Sequence, residues 1–217
     1  GDDPAISGEA AVFRVLLWEH PDARIIDGQA VLILPPLPAR LMASLAPFQA
    51  WEALATAGLA EQVTPFPRRD PAPPFVMTEY DGSRAPDGFT PLDVPALADG
   101  AQLEGWRVEC VGERLRISTL WHMTEPPPTA IVQQFHHLYP ADDSDMDSTP
   151  PLAAADVPLS IQEWRTGDRV IVIGDFLNLE TGRYRLRIGH YTLPDVERIA
   201  TVQGGSGTVD LGVIDAP

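Results

Sequence analysis

The chain has 217 residues, 44% of them hydrophobic, enough for one large domain or two small ones with their own cores, which argues against wholesale disorder. Its formal charge is −16, and all 15 basic residues are Arg. Charge of that sign repels phosphate backbones and anionic headgroups, so no nucleic-acid partner and no polybasic membrane patch are expected.

No apolar run approaches the roughly 20 residues needed to cross a bilayer. The polar opening GDDPAISGEA has no signal-peptide pattern and reads as the edge of a piece of a longer protein. The single cysteine, Cys110, alternates with Trp106 and Val108 in GWRVEC, which predicts a small buried hydrophobe rather than a reactive thiol. Alone it makes neither an internal disulfide nor a cysteine-based zinc site.

Residues 11–85 read as a small α/β unit. The short apolar runs AVFRVLL (Ala11–Leu17) and AVLILPP (Ala30–Pro36) predict buried strands, with Asp27-Gly28 as a turn pair between ARII and QAVLIL. From Leu37 to Gln62 the period changes, with Leu41, Leu45, Phe48, Trp51, Ala55 and Leu59 recurring at three and four. Pro38 and Pro47 suit first-turn positions, so two short helices are predicted, with Gly58 as the terminal cap and Leu59 its apolar follower. Phe48 and Trp51, at that spacing, are core residues rather than a ligand platform. VTPFP and PPFVMTEY predict two more strands, closed by Asp81-Gly82. Residues 86–100, rich in Pro, Gly and Asp and without period, read as a linker.

Residues 101–217 read as all β. GERLRISTLW puts Leu115, Ile117, Thr119 and Trp121 on one face and Arg114, Arg116 and Ser118 on the other. GRYRLRIGHY repeats the device with Tyr184, Leu186 and Ile188 against Arg183, Arg185 and Arg187, so each sheet is expected to have one wet face. PTAIVQQFHHLY alternates less cleanly, DRVIVIGDFLNL is apolar on both faces as a central strand would be, and TVDLGVI closes the series. A long polar excursion covers 140–165. The fold class expected is α+β: the N-terminal α/β unit followed by an antiparallel β-sandwich, immunoglobulin-like or jelly-roll-like.

Asp142, Asp143, Asp145 and Asp147 have the alternation of a calcium loop, but Ser148 stands where the turn glycine belongs and Ala154 where the closing glutamate belongs, so a solvated loop is expected. Alternation sends His136 and His137 to opposite faces, and a metal site would need His122 or His190 to converge with one of them. GGSGT at 204–208 lacks the strand–helix context of a nucleophile elbow, and no glycine-rich segment opens a helix to hold phosphate. No catalytic residue, metal site or cofactor is therefore expected.

Read whole, the second half resembles the C-terminal soluble region of bacterial multi-spanning glycosyltransferases of the protein-mannosyltransferase-like or aminoarabinose-transferase-like type. The matching pieces are LRISTLWHMTEPPPTAIVQQFHHLYPAD, IQEWRTGDRVIVIGDFLNL, TGRYRLRIGHYTLPDVERI and TVDLGVI. Within them lie the Leu120-Trp121 pair, His137-Leu138, the turn of Trp164, Gly167 and Asp168, and the Gly182, Tyr184, Leu186, Gly189 and Tyr191 strand. DGQAVLILPP (Asp27–Pro36) is similar to the segment between the last membrane span and that sandwich, so the resemblance covers roughly 22–214. The sequence departs from the pattern in the longer, more acidic PADDSDMDSTPP and in LPDVERI.

The resemblance implies a non-catalytic accessory domain on the extracytoplasmic face of the membrane. Its expected partners are the transmembrane part of the parent protein and an acceptor glycan. The alternatives are a free carbohydrate-binding module and a glycoside hydrolase with dispersed carboxylates. Trp121 is expected in the core beside Leu115 and Ile117; Trp164, His137 and Tyr191 are the expected carbohydrate contacts.

Overall fold

The computed structural model describes residues 30–44, 63–67, 74–82, 84–143 and 149–216, with isolated positions between 15 and 26 and between 52 and 59. In chain order the strands are β1 (Val31–Leu34), β2 (Ala39–Ser44), β3 (Thr64–Phe66), β4 (Phe75–Tyr80) and β5 (Thr90–Pro91). The long hairpin of β6 (Ala101–Val111) and β7 (Arg114–Met123) follows, then β8 (Ile131–Pro140) and the two-residue strands β9 (Ala153–Ala154) and β10 (Val157–Pro158). A single 3₁₀ turn, Ile161–Glu163, leads to β11 (Arg169–Leu177), β12 (Gly182–Leu193), β13 (Glu197–Arg198) and β14 (Thr208–Ala216).

These strands build mostly antiparallel sheets, two of which close face to face as a β-sandwich. One has five strands in the order β1-β11-β7-β6-β5. The other has six, running β10-β8-β12-β13, with β14 also paired to β12 and β9 to β8. Period-two alternation sets the core between them. Leu115, Ile117 and Trp121 of β7 and Val170, Val172 and Phe176 of β11 meet Val132 and Leu138 of β8 and Leu186 and Ile188 of β12. At the corner between β11 and β12 the Tyr184 hydroxyl donates to the Glu180 carbonyl (2.8 Å), pinning the chain where it changes sheets.

The separate N-terminal α/β unit expected from the sequence is not what the chain builds. β1 pairs antiparallel with β11, Val31 opposite Val172 and Ile33 opposite Val170, so it belongs to the sandwich's own sheet. The period across Leu37–Gln62 begins as strand rather than helix, since Ala39–Ser44 is β2, paired with β4, which in turn pairs with β3 in a third, three-stranded sheet. Val15, expected in a strand, lies in a helical turn. The cap is where the sequence placed it: Gly58 has φ +69° and the Leu59 amide donates to the Leu54 carbonyl at 2.8 Å. Asp27-Gly28, Phe48 and Trp51 lie outside the described residues. The segment 86–100 contains β5, paired with β6; Leu97 is buried and bridged to Thr201, and Asp99 is buried as well. Arg24 is ion-paired to the buried Asp168 and donates to the Glu163 carbonyl, tying the N-terminal stretch to the turn before β11.

Both faces of the five-stranded sheet are covered, which is the physical reason β11 is apolar on each. Leu32, Leu34, Leu120, Ile171 and Ile173 point away from the sandwich core into a second cluster roofed by Leu54, Leu59 and Tyr80. The face of β7 expected to be wet is therefore dry: Arg116 and Ser118 are fully buried. Arg116 keeps its charge through a fork to Asp175 (2.9 and 3.1 Å) and a bond to Glu52 (2.8 Å). Cys110 departs from expectation in the other direction and is exposed, at the end of β6.

A chain shortened to begin at residue 86 loses β1 and the roof, which leaves the β11 edge unpaired and its outer apolar face bare. The expected outcome is association or loss of the cooperative unfolding transition, read by size-exclusion chromatography and urea titration against the full chain.

Candidate functional site

A polar network lies between the two sheets. The Trp121 indole N–H reaches Thr119 Oγ1 (2.9 Å) and Gln134 Oε1 (2.8 Å), and Gln134 Nε2 donates to Thr119 Oγ1 (2.9 Å) and lies 2.8 Å from His136 Nε2. The other ring nitrogen of His136, Nδ1, faces the Ala155 carbonyl at 3.0 Å. A neutral imidazole with its proton on Nδ1 satisfies both contacts, giving to Ala155 and accepting from Gln134. Burial pushes the His136 pKa down to about 4, with the Ala155 carbonyl pulling the other way. β11 makes room for the ring at Gly174, where an added Cβ would sit 2.6 Å from His136 Nδ1. The His190 ring packs tilted against Trp121, centroids 4.4 Å apart, and joins Asp99 at 2.6 Å, fastening the 86–100 segment to the core.

On the outer face of the six-stranded sheet the geometry is different, because alternation along β8 and β12 brings Gln133, Phe135, His137 and Tyr139 beside Arg187, Gly189 and Tyr191. Asp156, on the strap between β9 and β10, stands over this face. Its Oδ1 is 3.3 Å from His137 Nε2 and its Oδ2 accepts from the Tyr191 hydroxyl at 3.0 Å. The single phenolic proton is shared with the Gln133 amide oxygen. Burial raises the Tyr191 pKa to about 12, assisted by the bond to Asp156 and its charge. Burial also lowers that of His137, which Asp156 partly opposes. At neutral pH the cluster is thus a carboxylate held by a neutral imidazole and an un-ionised phenol. It offers fixed donors and acceptors and no activated nucleophile. Deeper on the face, Arg187 lies 4.4 Å over the Tyr139 ring and pairs with Asp143 at 3.2 Å.

Of the expected carbohydrate contacts, the structure brings His137 and Tyr191 together and separates Trp164 from them. Trp164 is 1% exposed, its indole N–H given to the Leu159 carbonyl at 3.0 Å, and presents no ring face to solvent. Trp121 is in the core, as alternation requires. Asp156 and Gln133 were not singled out by sequence. The acidic strap that carries Asp156 has no period, and its meeting with β12 is a long-range event. His136 and His137 do face opposite sides of β8. His122, near Glu104 (3.5 Å), and His190 join neither in a metal set, and among the described residues no three His, Cys, Asp or Glu converge on one point. In the acidic run Asp143 is engaged by Arg187, while Asp145 and Asp147 lie outside the described residues. Two shallow depressions among the described residues, about 280 Å³ beside Thr78 and Tyr80 and about 180 Å³ beside Ala23 and Glu163, are lined by other residues.

No protein-family model and no curated protein matches the chain.

Gly174→Ala is expected to cost about 2 kcal/mol or more, because backbone and imidazole must both move to admit a methyl group; the urea midpoint reads it. The depressed His136 pKa predicts an acid-labile fold. Between pH 6.5, the ordinary histidine value, and about 4 the unfolded chain takes up a proton that the folded core refuses, so stability falls as pH falls. The loss from this one group is about 2 kcal/mol on going from about pH 7 to about pH 5, and His136→Gln is expected to flatten that slope in paired urea titrations.

Proposed function

We propose that the chain is a non-catalytic accessory domain of a membrane-bound glycosyltransferase, held at the extracytoplasmic face of the membrane by the transmembrane part of the parent protein. The observation that carries the reading is the place of Trp121, Trp164, Asp168 and Gly189 among the residues behind the resemblance: they are joints of the sandwich. Trp121 is the hub of the core network, and Trp164 and Asp168 lock the turn before β11. Gly189 lies where a Cβ would be 2.2 Å from the Gly207 carbonyl and 2.7 Å from Phe135. A pattern made of joints specifies an architecture, and the activity then belongs to another part of the protein.

The fold within the sandwich class is immunoglobulin-like rather than jelly-roll-like. β6, β7 and β11 adjoin in one sheet and β8, β12 and β14 in the other, which is the A-B-E and C-F-G neighbour order. β1 fills the place beside β11 that strand D takes. The Tyr184 bond back to the Glu180 carbonyl, at the entry to β12, is the corner found at the start of strand F.

Sequencing the native coding region beyond this segment is expected to reveal several apolar stretches of about 20 residues each. The purified chain is expected neither to hydrolyse aryl glycosides nor to transfer sugar from a lipid-phosphate donor. A parent protein with no such stretches, or glycoside turnover abolished by one Asp or Glu substitution, overturns the reading.

A further inference from the structure

The geometry points to a binding site for an uncharged saccharide on the outer face of the six-stranded sheet, centred on Asp156 between His137 and Tyr191. The inference deepens the preceding reading and rests on it for the ligand being a glycan.

β8 and β12 are inner strands, each hydrogen-bonded on both sides, so their outer side chains project from a rigid surface. Asp156 adds to that surface a carboxylate oriented by two donors of fixed position. Its side chain is 38% exposed, and each carboxylate oxygen has acceptor capacity beyond the one contact it makes to His137 or Tyr191. Fastening the strap is a task already done by other groups. Ala155 exchanges two backbone hydrogen bonds with His136 (2.9 and 3.2 Å) and accepts the imidazole, while β9 and β10 add their ladders to β8. The Asp156 side chain is therefore surplus to holding the chain in place, and its orientation is what a ligand would use.

The register supplies the rest of the surface. Gln133 lies opposite Tyr191 and Ile131 opposite Leu193, so a row of amide and hydroxyl groups runs beside an aliphatic pair, of which Ile131 is 59% exposed. Arg198, paired in register with Tyr191, holds its guanidinium 5.6 Å over the Phe135 ring at the margin. Hydroxyl groups of a sugar donate to Asp156 and accept from the Gln133 amide, and the C–H face of the ring packs on Ile131 and Leu193. The carboxylate at the centre, on a chain of charge −16, disfavours phosphorylated or uronic ligands. Phe135 and Tyr139 are buried, so the site works by hydrogen bonds on an open face, and affinity is expected to be modest.

The test is calorimetric titration of the full chain with neutral gluco- and manno-oligosaccharides, and with oligogalacturonate as the anionic comparison. The expected result is saturable binding of a neutral oligomer with a Kd of about 1 mM, weakened about tenfold or more in Asp156→Ala. Tyr191→Phe keeps the ring but removes the donor that orients the carboxylate. It is expected to weaken binding less, and it serves in place of Asp156→Ala should that variant fail to fold. Arg183→Gln, on the same strand but remote from Asp156, is expected to bind as the parent chain does. Thermal melts of each variant accompany the titrations, and a loss of affinity at unchanged melting temperature supports the site. No saturable heat from any neutral oligomer at about 20 mM, parental affinity in the folded Asp156→Ala or Tyr191→Phe variant, or preference for oligogalacturonate overturns it. Those results would leave the accessory-domain reading standing, whereas a parent protein without membrane spans would remove that reading and leave a measured glycan site intact.

Discussion

The hydrogen bonds among Trp121, Thr119, Gln134 and His136 lie midway between the sheets, and much of the surrounding chain is placed by the need to complete them. A buried donor or acceptor left without a partner costs about 1–3 kcal/mol, so each end of the network demands a neighbour. At the His136 end that neighbour is the Ala155 carbonyl, which draws the 153–158 strap onto the edge of β8. Across the sandwich the same ring requires that β11 carry no side chain at residue 174. The inner network and the outer face are thereby coupled through one residue step: Ala155 serves the core, and Asp156 is delivered to His137 and Tyr191.

The five-stranded sheet obeys a second constraint. Its strand β11 is apolar on both sides because the N-terminal third of the chain returns over it, β1 along its edge and Leu54, Leu59 and Tyr80 above. Charges under that roof are retained by pairing. Arg116, Asp175 and Glu52 form such a group, and Arg24 pairs in the same way with Asp168 at the turn before β11. Removing one member would strand its partner in a dry environment, which is worse than never having had the pair.

The two outer faces therefore differ in kind: one is roofed by the chain itself, and the other presents an oriented carboxylate and an apolar pair beside half-exposed polar groups. The proposed accessory role draws on that difference: in it the front would meet a ligand while the reaction is performed elsewhere. The raised phenol and the lowered imidazole pKa values fit that division of labour, since both move away from what proton transfer at neutral pH requires.

Taken alone, the sequence determined the long strands β7, β8, β11, β12 and β14, the inward set of Leu115, Ile117, Trp121, Leu186 and Ile188, the opposite facing of His136 and His137, and the cap at Gly58. Each of these follows from the local period of the backbone or the allowed φ of one residue, which a short window displays. Tertiary structure decided that β1 belongs to the sandwich, that Arg116 is dry and Cys110 wet, that Trp164 is core, and that Asp156 meets His137 and Tyr191. Those outcomes depend on which distant segment covers a given face. Alternation says only that a strand has two sides. Which side is covered is settled by contacts between residues as far apart as Val31 and Val172 or Asp99 and His190, which no local pattern records.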